Sequence, residues 1–393
     1  MDRPSDMRLQ PTDPLWTHPF RLVCASHFLL YASIDLMLPV WPLWGVRQAG
    51  WTDADVGRLC ACFVLGLLLP GCLYSYLADN YARKKLATWT YVAVVALPLA
   101  FEPVADASFA ALAVLTGLRG ALFGLAATLS ATMAIDVTPT TRRDEASVGL
   151  SWAARFGRMA GAPVGLLLYA RAGIELTGHV ALATGFAGWL ALLCVETPFR
   201  APIGGPLCST DRFVLCRGWL PAFNWALASF VFGMGLKSAA IALAGMPMEM
   251  AGGVAALLPG GALLALATGP WMRRLGGLSL QTGAGFVLIA GAAGLWQTAL
   301  GLGGAAAAAL AGGMGLGWAS GGILRLLVEL SEHSRRATAV TTYRLAWEVG
   351  VYVGLWVGWQ AETASWTAVA ASLAALLLYG LATRPYVAHR RLR

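Results

Sequence analysis

Charge is what this sequence has least of. Only 12% of its 393 residues are Asp, Glu, Lys or Arg, against about 25% in an ordinary water-soluble domain. With 58% hydrophobic residues and a mean hydropathy of +0.65, the chain has too little polar surface to cover itself in water. That excludes a soluble globular domain and makes lipid the solvent. Chemistry-bearing patterns are scarce as well. The seven cysteines (Cys24, Cys60, Cys62, Cys72, Cys194, Cys208, Cys216) form no CxxC pair and have no His at zinc spacing. They read as small packing residues. HExxH, GxSxG and GxxxxGK[ST] are all absent, which speaks against a membrane-embedded hydrolase and an ATP-driven pump. No enzyme activity, metal or cofactor is expected.

What is abundant is apolar length. A spanning helix needs about 20 mostly apolar residues. Twelve such runs follow one another: 19–44, 54–78, 85–102, 107–134, 146–170, 177–196, 217–241, 250–272, 278–297, 299–327, 337–360 and 364–383. The polar residues 1–18, with Pro4, Pro11 and Pro14, precede a run that lacks a small-x-small cleavage site. That run reads as an uncleaved first helix. The longest polar connection, 197–216 (TPFRAPIGGPLCSTDRFVLC), divides the chain into bundles 19–196 and 217–383, and a basic tail 384–393 closes it. The 46 glycines suit helices that approach closely in lipid.

Lys and Arg favour alternate connections. One set holds Arg83, Lys84 and Lys85; Arg142 and Arg143; Arg200, Arg212 and Arg217; Arg273 and Arg274; Arg335 and Arg336; and the tail. The other has only Arg47, Arg58 and Arg171, with Glu102, Asp106, Glu249 and Glu362. The positive-inside rule places the first set and both termini in the cytoplasm. An even helix number agrees. The net charge of +8 is therefore topology, and no nucleic acid is expected as partner.

The halves repeat. RRDEASVGLSWAARFGRMAG (142–161) and RRATAVTTYRLAWEVGVYVG (335–354) align at an offset of 193. Arg142 and Arg143 fall on Arg335 and Arg336, Gly157 on Gly350, Gly161 on Gly354, and Asp136 on Glu329. Gly120 and Gly124 fall on Gly313 and Gly317. Parallel six-helix halves with a site between them near the midplane are one way transporters are built.

SYLADNYARKK (75–85) resembles the loop between helices two and three of the major facilitator superfamily, roughly G-x-L-A-D-R-x-G-R-[RK]. Leu77, Ala78, Asp79, Arg83 and Lys84 match; Ser75 and Ala82 replace glycines, and Asn80 replaces a basic residue. The resemblance implies an all-α integral membrane protein of twelve transmembrane helices in two pseudo-symmetric six-helix bundles. It also implies a conformational latch, in which Asp79 caps and pairs across the seam and Arg83 pairs with Asp136. GPWMRRLGG (269–277), its counterpart, has the basic pair and glycine but no acid. GRMAGAPVG (157–165) resembles the drug-efflux signature on helix five, roughly G-x-x-x-G-P-x-x-G, with its proline displaced by Ala162. Gly157, Gly161 and Gly165 serve equally as helix-packing glycines. SIDLMLPVWPLW (33–44) resembles the end of helix one in proton-coupled multidrug exporters, with Asp35 four residues before Pro39 and His27 where some members carry a second acid.

Ionisable residues inside a span are costly and mark function by default. Here they are His27, Asp35, Arg119, Arg155, Arg158, Lys237, Arg325, Arg344 and Glu348. A carboxylate that exchanges one setting for another changes its proton affinity, and His titrates near neutral pH. Eight residues place His27 and Asp35 about 80° apart around a helix, within reach of one cavity. A static ion pair or interhelical hydrogen bond is the plainer role of each. Arg119 sits mid-helix four, where the family often carries an Arg; the resemblance makes it part of proton coupling, with Asp35 and His27. Substrate binding or a structural pair are its other readings. Arg155 and Arg158 on helix five, with Arg344 and Glu348 on helix eleven, form a candidate inter-bundle network, because Arg155 and Glu348 are separated by the repeat offset of 193.

Six cations inside the runs face Asp35 and Glu348, so the interior carries surplus positive charge. An anionic, zwitterionic or amphipathic solute fits it, with Arg119, Lys237, Arg325, Trp152 and Trp347 as cavity candidates and Trp225 and Trp318 as weaker ones. The leading expectation is a monomeric, proton-coupled exporter in a bacterial inner membrane, working by alternating access on a small molecule. Proton symport for uptake of a sugar or organic anion, and lipid or lysolipid flipping, are the alternatives. No connection is long enough to hold a sensor domain.

Overall fold

A computed structural model describes residues 14–101, 108–198, 213–244, 246–297, 301–331, 336–360 and 364–391. The described residues are all helix, turn and loop. Most of segment 1–18, most of linker 197–216 and the last two residues of the tail lie outside them. Eight helices are long and apolar enough to cross a membrane. The helices, in order, are α1 (His18–Met37), α2 (Val40–Arg47), α3 (Asp53–Leu68), α4 (Gly71–Asn80), α5 (Arg83–Ala96), α6 (Phe109–Asp136), α7 (Arg143–Leu193), α8 (Trp219–Ala244), α9 (Met248–Gln297), α10 (Gly301–Leu330), α11 (Arg336–Gln360), α12 (Ala364–Leu378) and α13 (Arg384–Arg391).

Sequence chemistry sets these boundaries. The Thr52 hydroxyl accepts from the Asp55 backbone N–H while the Asp55 carboxylate accepts from Thr52, a reciprocal cap that starts α3. Pro39 and Pro70 lack a backbone donor. They break the first and second runs into α1 and α2, and α3 and α4, where single helices over 19–44 and 54–78 are expected. The 51-residue α7 and the 50-residue α9 are each two helical rods joined at one or two non-helical glycines. Gly173 (φ 73°, ψ −170°) makes the first turn and Gly277 (φ 71°, ψ −171°) the second. That backbone region is essentially closed to residues with a Cβ. With α7 and α9 divided there, the proline-broken pieces joined, and α12 continued into α13 through the π-helical stretch Tyr379–Thr383, the described helices make twelve rods. The rods at 83–100 and 336–360 are not among those long and apolar enough to cross: one is short, and the other carries buried Glu348 and half-buried Arg344.

Glycine sets how the rods pack, and the repeat is visible in it. A Cβ on Gly157, Gly161 or Gly165 of α7 would run into the α1 backbone at Phe28, Ala32 and Leu36. One on Gly350, Gly354 or Gly358 of α11 would run into the α8 backbone at Ala226, Phe230 and Met234. The three α7 glycines move by 193 and their three α1 contacts by 198, so one helix pair is built twice. Gly120 against the Phe63 carbonyl and Gly313 against the Leu258 carbonyl repeat a second pairing. Without a hydrophobic force between helices in lipid, such close approach is what holds them. Ser33 to the Ala181 carbonyl (2.7 Å) and Asn224 to the Ala375 carbonyl (2.9 Å) add polar ties. Of the cysteines, Cys24 and Cys60 are buried packing residues, whereas Cys194 and Cys216 are exposed.

Candidate functional site: a cationic cluster between the two halves

The opening loop of the second hairpin folds as an ion triad. Arg83 begins α5, three residues beyond the end of α4. Its three guanidinium nitrogens donate to the Asp79 carboxylate (2.8 Å), the Asp136 carboxylate (2.6 Å) and the Ala78 carbonyl (2.7 Å). Asp79 lies in the last turn of α4, where the helix dipole opposes a negative charge, and Arg83 offsets that. The Arg fork spans two carboxylates, which a Lys could not match. In the second half Arg273 donates to Gln281 (3.2 Å), an amide where the first half uses an acid.

Four of the intramembrane charges, Arg155, Arg158, Arg344 and Glu348, meet near His27 between α1, α6, α7 and α11. Arg158 of α7 and Glu348 of α11 form a two-point pair across the halves, Nη1 to Oε2 at 3.1 Å and Nη2 to Oε1. Their side chains are 5% and 2% exposed, so the pair is almost wholly out of solvent. The Arg158 guanidinium also lies over the Tyr31 ring at 4.3 Å. Arg344 reaches across to α6, donating to the Gly124 carbonyl (3.3 Å) and the Thr128 hydroxyl (3.1 Å).

Arg155, one turn before Arg158, is different. It is buried, and none of its three guanidinium nitrogens makes a hydrogen bond of normal geometry to a described residue. It stands over the Trp152 ring at 4.3 Å with the Tyr343 hydroxyl beside it. A guanidinium keeps its charge in any protein setting. A buried one without counter-charge is costly, and among the described residues the Trp152 and Tyr343 rings are what face it. A cavity of about 50 Å³ opens before it, lined by His27, Tyr31, Arg155, Arg158, Arg344 and Trp347 among others. It is too small for an organic solute in this state.

His27 is buried, edge-on to Tyr31 at 4.7 Å, with Nδ1 unpartnered. Asp35 is buried one level further along α1, within reach of the charges of both Arg119 and Arg158. Arg119 is buried on α6, 5.7 Å from the Phe101 ring, and lines two cavities of about 70 and 140 Å³. His27, Asp35 and Arg119 are thus parts of one electrostatic neighbourhood.

Lys237 lies apart from it, half-buried, with Nζ donating to the Trp359 carbonyl at 2.9 Å. Arg325, expected in the cavity, is exposed, and its charge acts on Arg273 instead. Leu324, Leu326 and Leu327 beside it are buried, and at 100° per residue Arg325 faces away from the side they share. Trp347 is buried against Trp225 and Phe232, while Trp152 is half-buried on Phe156.

Sequence reading missed Tyr31, Tyr343, Tyr352 and Thr128. The signal was present in spacing. His27, Tyr31 and Asp35 recur every four residues on α1, and Arg344, Glu348 and Tyr352 do so on α11. Each set makes one helix face, and the Tyr352 ring stacks on Phe63 at 4.2 Å across the halves.

Three comparisons bear on this arrangement. The family model described as Major Facilitator Superfamily matches residues 23–355. No curated protein matches the chain. Among solved structures, a mutant of the nucleoside transporter NupG superposes with a TM-score of 0.65 at 12% identity, covering 92% of this chain and 99% of that one. At that identity the likeness concerns the fold.

Proposed function

The chain belongs to the Major Facilitator Superfamily, and from that premise we propose that this integral membrane transporter is a proton-coupled exporter of small organic anions. In this reading the bundles 19–196 and 217–383 rock about the central cluster, so that the site meets each side of a bacterial inner membrane in turn. Both termini are cytoplasmic, and one chain is the working unit.

The observation that carries the reading is Arg155: a buried, unpaired cation facing a cavity between the halves. Negative substrate would supply the missing counter-charge. Of the three arginines that line this cavity, Arg158 is satisfied by Glu348 and Arg344 is committed to α6, so Arg155 is the one left there to select substrate. Asp35, beside Arg119 and Arg158, is the proton carrier. Its electrostatic partners change when the halves separate, and its affinity for a proton changes with them. Asp79, Arg83 and Asp136 form the latch that weights one state against the other.

Transport in proteoliposomes under an imposed pH gradient tests this. The panel holds organic anions, zwitterions, cationic dyes and a nucleoside, the last because NupG is named for that substrate. Anion movement opposite to protons, lost in Asp35→Asn, supports the proposal. Movement with protons makes the protein a symporter. Gradient-driven transport unchanged in Asp35→Asn removes Asp35 from the mechanism.

A further inference from the structure

A second cavity lies next to the cationic one, and its chemistry is the opposite. It measures about 170 Å³ and is lined almost wholly by Ala, Gly, Leu, Val, Ile and aromatic side chains. The first half contributes Ala162, Pro163 and Leu166 of α7; the second half contributes α8, α9 and α10. It therefore lies on the same seam as the cationic site. The two cavities are neighbours. Arg158 and Ala162 are one helical turn apart on α7, about 6 Å of rise. Phe232 lines the apolar cavity and Trp347 the cationic one, and their rings meet at 5.6 Å. The two cavities adjoin at this ring contact, and Arg155 lines the cationic one together with Trp347.

We infer that the substrate is an amphipathic organic anion: its carboxylate or similar head pairs with Arg155, and its alkyl or aryl portion occupies the apolar cavity beyond Phe232 and Trp347. This rests on the proposed function and narrows its substrate class. A wholly polar anion would leave the apolar chamber without a role. A wholly apolar solute would leave Arg155 unpaired. A molecule with both ends satisfies both. Rotation of the Phe232 and Trp347 rings joins the two cavities into one site.

Binding to full-length protein in nanodiscs tests the inference without any gradient. The probes are radiolabelled acetate, butanoate and octanoate, with octyltrimethylammonium as the cationic control and protein-free nanodiscs subtracted. Each buried methylene raises affinity about fourfold, so octanoate binds far more tightly than butanoate and acetate does not register. The cationic control does not bind. Arg155→Gln lowers octanoate binding at least tenfold, and Arg155→Lys recovers part of it. Ala309→Phe, which fills the apolar cavity from one wall, removes the dependence on chain length. Equal binding of all three acids, binding of the cation as well as the anion, or octanoate binding unchanged in both Arg155→Gln and Ala309→Phe overturns the inference. Octanoate binding with no transport of any panel solute supports the inference and refutes the transport cycle proposed above. Proton-coupled transport of a polar anion with no octanoate binding does the reverse.

Discussion

Replacing Glu348 by Leu strands a charge. Arg158 is 5% exposed and loses the two-point partner that holds it across the seam. Breaking a buried pair from one side costs about 3–5 kcal/mol, because the survivor is left in a poor solvent for charge. Asp35, on which Arg158 also acts, softens the loss, so Glu348→Leu belongs near the lower end of that range. Arg158→Met strands Glu348 and forfeits the contact with Tyr31, so it belongs near the upper end. The double variant removes both charges and restores apolar packing of similar volume. Such replacements are close to neutral, so the double variant is more stable than either single one. Unfolding by SDS titration in mixed micelles measures all four proteins and yields the coupling energy of the cycle. With singles of about 3 and about 5 kcal/mol and a near-neutral double, a coupling of about 8 kcal/mol is expected. If the double variant is as unstable as the sum of the singles, the two residues do not pair, and the closed seam described at this level is wrong. The same cycle has a functional consequence. The pair exists only when α7 and α11 meet, so its loss shifts the population of the two transport states as well as the stability of the fold.

Three further outcomes follow from the same geometry. Arg83→Lys keeps the charge but loses the fork between Asp79 and Asp136, so a cysteine placed near Asp79 reacts faster with a water-soluble thiol reagent, while Arg83→Gln opens the latch further. Gly161→Val drives a branched side chain into the α1 backbone at Ala32 and lowers unfolding stability by about 2 kcal/mol or more, whereas Gly178→Ala meets nothing within 4 Å and leaves it unchanged. Gly173→Ala forces a Cβ into a left-handed turn at a cost of about 1–3 kcal/mol, read as a lower thermal midpoint in detergent.

Composition alone determined that this chain lives in lipid, because 12% charge cannot cover a soluble surface. Run lengths gave most of the helices, and the 193-residue offset showed that the halves are one plan used twice. The sequence also supplied every charged member of the central cluster, because a charge inside an apolar run is conspicuous wherever it falls. It did not supply the breaks at Pro39 and Pro70 or the tight turns inside α7 and α9, since glycine is so common here that Gly173 and Gly277 carry no special mark. Helix rotation was out of its reach. Arg155 and Arg325 look alike in a run of apolar letters, yet one is buried without a counter-charge among the described residues and the other is exposed. Which charges pair across the seam is a property of two helices at once: Arg158 and Glu348 lie 190 residues apart. The apolar cavity is likewise assembled from α7, α8, α9 and α10, and no local pattern encodes it. Along one helix, a sequence fixes periodicity and polarity; between helices, distance and angle come only from the packing of small residues against backbone, and that packing decided which buried cation was left unpaired.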